Sequence, residues 1–308
     1  MTEKFQNFME EVRQKVEERL NEEVLIKSSQ KNNGVVLYGL EIHTTGSNCF
    51  PIFYMEKWFE EYLQGEEVED IVSAVVNDYL KSKYEREIKI DSLRVFAAIK
   101  DKIVYRLVNT ELNREMLKDV PYQPVLNLAK IYFVEVSDIT GIKSTFCKVS
   151  NELLNTWGIS QEEMFTVAEE NTPKLYPVDI FPMNEILKSL WREDWSDDAQ
   201  PFVDYLADIN GGMAMYVMSN THKLFGASVI CYENTLKKVA EQFESDLIIL
   251  PSSVHEVILL PKKHYKEGYD TFVEMVKEVN KEQVVLEERL ADNIYIYHRE
   301  TKSLEMVS

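Results

Sequence analysis

The 308-residue sequence contains few glycines and cysteines. Its ten glycines form neither a G-x-G-x-x-G motif nor a Walker lysine loop, so the sequence gives no support to a nucleotide-binding function. Three cysteines, Cys49, Cys147 and Cys231, lie far apart and form no C-x-x-C pair. An odd number of separated thiols is typical of a reducing compartment and not of a disulfide framework. We therefore predict a cytoplasmic location and no cofactor.

Long apolar runs and basic patches are also missing. No run approaches the roughly 18 apolar residues of a membrane helix, and the N-terminus carries charge every few residues, unlike a signal peptide. The chain has 53 acidic and 34 basic residues, which gives a net charge of −19. Such a charge repels phosphate backbones and anionic membrane surfaces. We predict that neither nucleic acid nor a membrane is a partner, and that the partner is a protein or a small molecule.

The composition that is present indicates a folded protein. Hydrophobic residues make up 45% of the chain and charged residues 28%, a balance typical of globular domains and not of disordered ones. The length is sufficient for two domains or one large domain with a substantial core.

Residues 1–90 predict a helix-rich N-terminal lobe. The first helix is indicated by apolar residues at helical spacing, namely Phe5, Phe8, Met9, Val12 and Val16. Asn33-Gly34 predicts a tight hairpin between strands Val24–Ser28 and Val35–Ile42. Helices are expected over Pro51–Leu63 and Glu66–Lys83.

Residues 91–172 and 213–308 each predict the order β-β-α-β-β-α. Leu93–Ile99 is an expected strand within residues 91–172, and Ala227–Cys231 is an expected strand within residues 213–308. We predict an α+β fold in which the lobe precedes two similar units with mixed or antiparallel sheets, related by an old duplication. Coincidence is the alternative, because α+β chains often contain such orders. Residues 173–212, rich in Pro, Trp and Asp, are expected to form a linker.

The most informative stretch joins two short apolar runs, Leu247–Leu250 and Val257–Leu260. Runs of this length bounded by prolines predict strands buried on both faces. Between them lies the polar box Pro251–Glu256, in which hydroxyls, an imidazole and a carboxylate come together beside the core.

The polar box supports two interpretations. As an active site it would use Ser253, His255 and Glu256 as nucleophile, base and acid. However, side chains two apart on a strand are separated by about 6–7 Å, too far for a hydrogen bond unless the chain bends, and there is no G-x-S-x-G elbow. As a structural corner, its hydroxyls would satisfy backbone groups of the turn. The candidate binding residues are Asn220, Gly226, Ser252, Ser253, His255, Trp191 and Trp195.

Metal-binding patterns are incomplete. His255-Glu256 begins like H-E-x-x-H, but the fifth residue is Leu259, which excludes a zinc protease site of that type. Asp194, Asp197 and Asp198 have spacing that suits a hard cation, yet they lack the glycine and final glutamate of a calcium loop. Solvated loop charges explain these three residues better, so no metal is predicted.

Several stretches together resemble a bacterial family of unknown function. They are Gly226-Ala227, Pro251–Glu256, Glu287–Asp292, Asn113–Leu117 and Asn171-Thr172-Pro173. The resemblance covers most of the chain, although residue 291 is Ala where members are expected to carry Ser. It implies a bacterial cytoplasmic setting and no established activity, cofactor or catalytic residue. The order of elements from Asp70 to Pro173 is similar to a second uncharacterised bacterial family.

Three functions follow from these patterns. The leading one is a non-enzymatic binding or accessory protein, because no complete catalytic constellation is present. The second is a hydrolase-like enzyme that uses Ser253, His255 and Glu256, with acidic residues of the loop Trp191–Asp198. The third is an adaptor that docks another protein through Trp191 and Trp195.

Overall fold

The computed structural model describes residues 1–44, 50–82, 90–137, 144–183, 215–251, 253–266 and 268–308. The chain divides into two compact units, Met1–Leu93 and Arg94–Ser137 with Ser144–Ser308. Helices alternate with sheets in which every described strand pair is antiparallel, so the predicted α+β class is confirmed. Within these described ranges, no helix has both the length and the apolar character to cross a membrane.

The first unit packs helices on a small sheet. Its described elements are α1 (Glu3–Leu20), β1 (Glu23–Gln30), β2 (Val36–His43), β3 (Ile52–Tyr54), α2 (Glu56–Leu63) and α3 (Val68–Ser82). All five apolar residues of the predicted α1 stripe are buried. The predicted hairpin also forms, with positive φ angles of 56° at Asn33 and 72° at Gly34. The helix predicted from Pro51 starts only at Glu56, because Ile52–Tyr54 pairs with β2 first.

The second unit contains two sheets. Its described strands are β4 (Ile103–Asn109), β5 (Tyr122–Val125), β6 (Leu128–Glu135), β7 (Phe146–Lys148), β8 (Val178–Pro182), β9 (Tyr216–Asn220), β10 (Leu247–Leu250), β11 (Val257–Pro261), β12 (Ile294–His298) and β13 (Ser303–Val307). Of these, β4 pairs with one edge of β6, and β5 and β7 pair with successive parts of β6. The remaining six described strands form a sheet of order β13-β12-β10-β11-β9-β8.

Several α-helices of the second unit are described. They are α4 (Phe96–Ile99), α5 (Asn151–Trp157), α6 (Gln161–Leu175), α7 (Thr235–Phe243) and α8 (Tyr269–Glu282). In the larger sheet, the predicted buried pair β10 and β11 is confirmed and lies at the centre. The polar box therefore joins two central strands at one end of this sheet.

Two predicted strands are wrong. Leu93–Ile99 contains the short helix α4, and Ala227–Cys231 belongs to a 3₁₀ helix over Gly226–Cys231. A short apolar run does not by itself distinguish a strand from a helical turn. Both edges of the neighbouring strand β9 are already paired, with β8 and β11, so no sheet position is open beside it. The duplication is unconfirmed, because the two sheets differ in strand number and order.

Amide side chains connect the two sheets. Asn109 donates from Nδ2 to the carbonyl of Leu290 at 3.0 Å. Asn127 donates to Asn293 Oδ1 at 2.7 Å and accepts from the Tyr295 hydroxyl. These bonds give partners to the buried side chains of Asn293 and Tyr295, which a purely apolar contact would leave unpaired.

A buried ammonium group lies on β6. Lys130, with a side chain only 9% exposed, pairs through Nζ with Glu169 of α6 and lies 4.6 Å from the ring centroid of Tyr105. The next residue along α6, Glu170, pairs with Lys174 where both side chains are well exposed. The two pairs therefore offer a comparison of a buried and an exposed ion pair on the same helix.

We expect Glu169→Gln to reduce the free energy of unfolding by about 1–3 kcal/mol, because it leaves a buried ammonium without its counter-charge. Glu170→Gln, the matched control, is expected to change it by less than about 0.5 kcal/mol. Urea unfolding of both variants measures the difference. Equal effects of the two substitutions would contradict a stabilising role for the buried pair.

Candidate functional site

Three chain segments meet at the polar box. The Val254 carbonyl accepts from Ala227 N–H at 3.2 Å, and Val254 N–H donates to the Glu288 carbonyl at 2.8 Å. The Pro251 carbonyl accepts from Ala291 N–H at 3.0 Å. The three main stretches of the family resemblance are thus bonded to one another through their backbones, and we call this assembly the corner.

Hydroxyl groups of the corner bind its backbone. Ser253 Oγ accepts from the N–H of His255 at 3.0 Å, and Ser219 Oγ donates to the carbonyl of His255 at 2.8 Å. Ser253 is only 7% exposed. Its hydroxyl therefore closes a local turn, as the structural interpretation of the box expects.

The His255 ring is held from two sides. Nδ1 accepts from the N–H of Phe225 at 3.2 Å, and the Phe225 ring lies against the imidazole with centroids 5.1 Å apart. A ring that accepts at Nδ1 is neutral and carries its proton on Nε2. Nε2 lies 3.6 Å from Oε1 of Glu288, and the His255 side chain is 22% exposed. The carboxylate beside the ring is thus Glu288 and not Glu256, the acid predicted from the sequence.

Asn220 organises the turn that precedes the 3₁₀ helix. Its Oδ1 accepts from the N–H groups of His222 at 3.0 Å and Leu224 at 3.4 Å, while Nδ2 donates to the Leu224 carbonyl at 2.8 Å. These bonds hold the exposed turn that ends at Phe225. A binding role for Asn220 stays a prediction, and its described bonds give it a structural role.

Gly226 lies where two backbone segments approach closely. A Cβ atom at this position would be 2.1 Å from Ser219 Oγ, 2.6 Å from the Asn220 nitrogen and 2.6 Å from the His255 carbonyl oxygen. Two of these atoms belong to the backbone and cannot move without disturbing the corner. The site therefore requires the absence of a side chain.

A buried arginine adjoins the corner behind Phe225. Arg106 of β4 is 8% exposed, and its guanidinium carbon lies 3.6 Å from the ring centroid of Phe225. Burial lowers the pKa of Arg106 to about 9, although Tyr176 and Glu135 raise it in opposition. No motif marked this residue, because a single arginine in an apolar strand has no sequence signature of burial.

Several predicted site residues lie outside the described residues. They are Ser252, Trp191, Trp195, Asp194, Asp197 and Asp198. Their predicted roles therefore stay predictions. Glu256 is half-buried at the end of the box. Within the part of the chain that the structure describes, no three His, Cys, Asp or Glu side chains are grouped so that they could hold a metal ion.

Comparison with known protein families gives a match over most of the chain. The model of a family of unknown function, DUF5688, matches residues 5–299. The chain belongs to this family. The match confirms the resemblance to an uncharacterised family and supplies no activity, and no curated protein or solved structure matches the chain. Any function of this DUF5688 member must therefore be argued from its own side chains.

We expect Gly226→Ala to destabilise the second unit by about 1–3 kcal/mol, since the added methyl group forces backbone atoms of the corner apart. The control is Gly268→Ala, where a Cβ would meet nothing within 4 Å and the cost is expected to stay under about 1 kcal/mol. Thermal unfolding followed by circular dichroism compares the two variants. A Gly226→Ala protein as stable as the control would show that the corner tolerates expansion.

Proposed function

We propose that this protein is a non-enzymatic binding protein that holds a small molecule at the corner. The observation that carries the proposal is the hydrogen bonding of the His255 ring. Its Nδ1 accepts a backbone hydrogen bond from Phe225, and its Nε2 faces Glu288. This arrangement supports recognition of a ligand better than proton transfer.

A hydrolase at the corner would need a basic ring nitrogen within reach of a hydroxyl. The lone pair of Nδ1 is already used by Phe225 N–H, and Nε2 carries the proton. Ser253 Oγ accepts from the N–H of His255, so this hydroxyl is oriented toward the backbone of its own turn. These bonds argue against acyl transfer by Ser253, His255 and Glu256.

The same corner has features suited to binding. His255 presents an Nε2–H donor and Glu288 a half-exposed carboxylate acceptor, 3.6 Å apart, beside the half-buried ring of Phe225. A donor, an acceptor and an aromatic surface within one small area are typical of ligand sites. The backbone bonds of the corner keep these groups in fixed positions, which lowers the entropic cost of binding.

The proposal includes a bacterial cytoplasmic setting. The family resemblance and the spacing of the cysteines support it, and Cys147 and Cys231 are both free thiols. Burial raises the pKa of the Cys231 thiol to about 12, so this sulfur is a packed thiol and not a reactive one.

The test combines a substrate panel with a ligand screen. We expect no hydrolysis of ester, peptide or phosphate substrates above the buffer rate. In a thermal-shift screen of small metabolites, we expect at least one compound to raise the melting temperature, because a ligand of the native state stabilises it. That shift should be lost in His255→Asn, whose Oδ1 can still accept from Phe225 N–H, and kept in His298→Asn.

Two results would contradict the proposed function. One is hydrolysis that Ser253→Ala and His255→Asn both abolish while His298→Asn leaves it intact. The other is a set of ligands whose shifts persist unchanged in His255→Asn, which would locate binding away from the corner.

A further inference from the structure

The guanidinium of Arg106 is enclosed by aromatic rings on its faces. Its central carbon lies 3.6 Å from the ring centroid of Phe225, 3.8 Å from that of Phe146 and 4.3 Å from that of Phe133. Such contacts stabilise a cation and fix the plane of the group. A further partner can therefore approach the guanidinium only along its edge, where the N–H groups point.

Along that edge the arginine lacks an acceptor. Within the described part of the chain, Nη2 of Arg106 is buried and has no hydrogen-bond partner. Glu135 is the carboxylate that acts on its charge, but it accepts from the Tyr176 hydroxyl at 2.9 Å and the Ser137 hydroxyl at 3.3 Å. A buried cation without a paired anion costs stability, and the fold nevertheless retains one here.

A small cavity adjoins the arginine. It has a volume of about 10 Å³, space for a single water molecule. Its lining includes Arg106, Tyr176, Asn220, Leu224 and Phe225, so it lies beside the turn that precedes the 3₁₀ helix. Leu224 is half-buried and Lys223 is exposed, which puts a second cation next to this turn.

We propose that Arg106 binds the oxyanion group, carboxylate or phosphate, of a small molecule that enters at this cavity. The inference rests on the proposed function and names the chemical class of its ligand. Planar pairs of oxygens match the edge of a guanidinium whose faces are covered, and this fit favours two parallel N–H···O bonds. The cavity is smaller than such a group, so binding requires Leu224, which lines it, to move outward, a movement of the kind that side chains make on binding.

The charge of the protein makes a local cation necessary for such a ligand. The whole chain carries −19, so an anion is repelled at a distance and is stabilised only where a positive group is desolvated and close. Arg106 is such a group, while the ion pair of Arg114 with Glu111 is exposed on both sides. Arg114 therefore provides a matched control.

The experiment is a titration of the whole protein with inorganic phosphate and with acetate, each compared with chloride at equal ionic strength. The readout is the Nε–H resonance of Arg106 in a ¹⁵N-correlation spectrum, assigned from its absence in Arg106→Lys. We expect a saturable shift with phosphate or acetate at roughly millimolar concentration and none with chloride.

The variants give a second readout. The anion-dependent rise in melting temperature should require about tenfold more anion in Arg106→Lys, which keeps the charge but loses the paired donors. Arg114→Lys should behave as wild type. If the Arg106 variant does not fold, the wild-type resonance still decides the question.

An Arg106 resonance that responds equally to chloride, or to none of the anions, would overturn the inference. That result would leave the proposed function standing as long as the ligand screen yields compounds that depend on His255. Absence of such compounds, together with an unresponsive Arg106, would reject both.

Discussion

The second unit depends on how the buried backbone of the box is satisfied. The chain leaves β10 at Leu250 and enters β11 at Val257. The ladder between these central strands ends at Leu250 and Ile258, and Ser253 forms an isolated bridge with Arg289 instead. Buried N–H and C=O groups without partners cost free energy, so other segments must supply them. The hydrogen-bond partners of the box come from Ala227 and from the stretch Glu288 to Ala291.

This constraint determines what the polar side chains of the corner can do. A backbone group is hydrogen-bonded to each of the side chains of Ser253, Ser219 and His255. Glycine is required at position 226 because the Ser219 hydroxyl and the His255 carbonyl lie so close to it. Chemistry that needs a free nucleophile and a free base is therefore poorly served there. Arg106, by contrast, keeps donor capacity unused behind the same turn.

Much of the local structure could be predicted from the sequence. The apolar stripe of α1, the hairpin at Asn33-Gly34 and the buried strands β10 and β11 follow from periodicity and turn chemistry, which act over a few residues. The run Ala227–Cys231 was mispredicted because its apolar residues suit a buried 3₁₀ turn as well as a strand. Only the sheet, with both edges of β9 occupied, decides between them.

The candidate site was predicted only in part, for a related reason. Ser253 and His255 were found because they are neighbours in the sequence, whereas Glu288 and Arg106 reach the corner through tertiary contacts. Glu288 lies in a stretch that carried the family resemblance, so a signal for it existed. Arg106 had none, because its burial depends on rings contributed by three separate segments.

The tautomer of His255 tests the central claim, that the corner binds and does not catalyse, most directly. A long-range ¹H–¹⁵N spectrum of the imidazole distinguishes the two neutral forms. We predict a proton on Nε2 and a bare Nδ1 that accepts from the N–H of Phe225. A proton on Nδ1, with Nε2 bare and available as a base, would contradict the account.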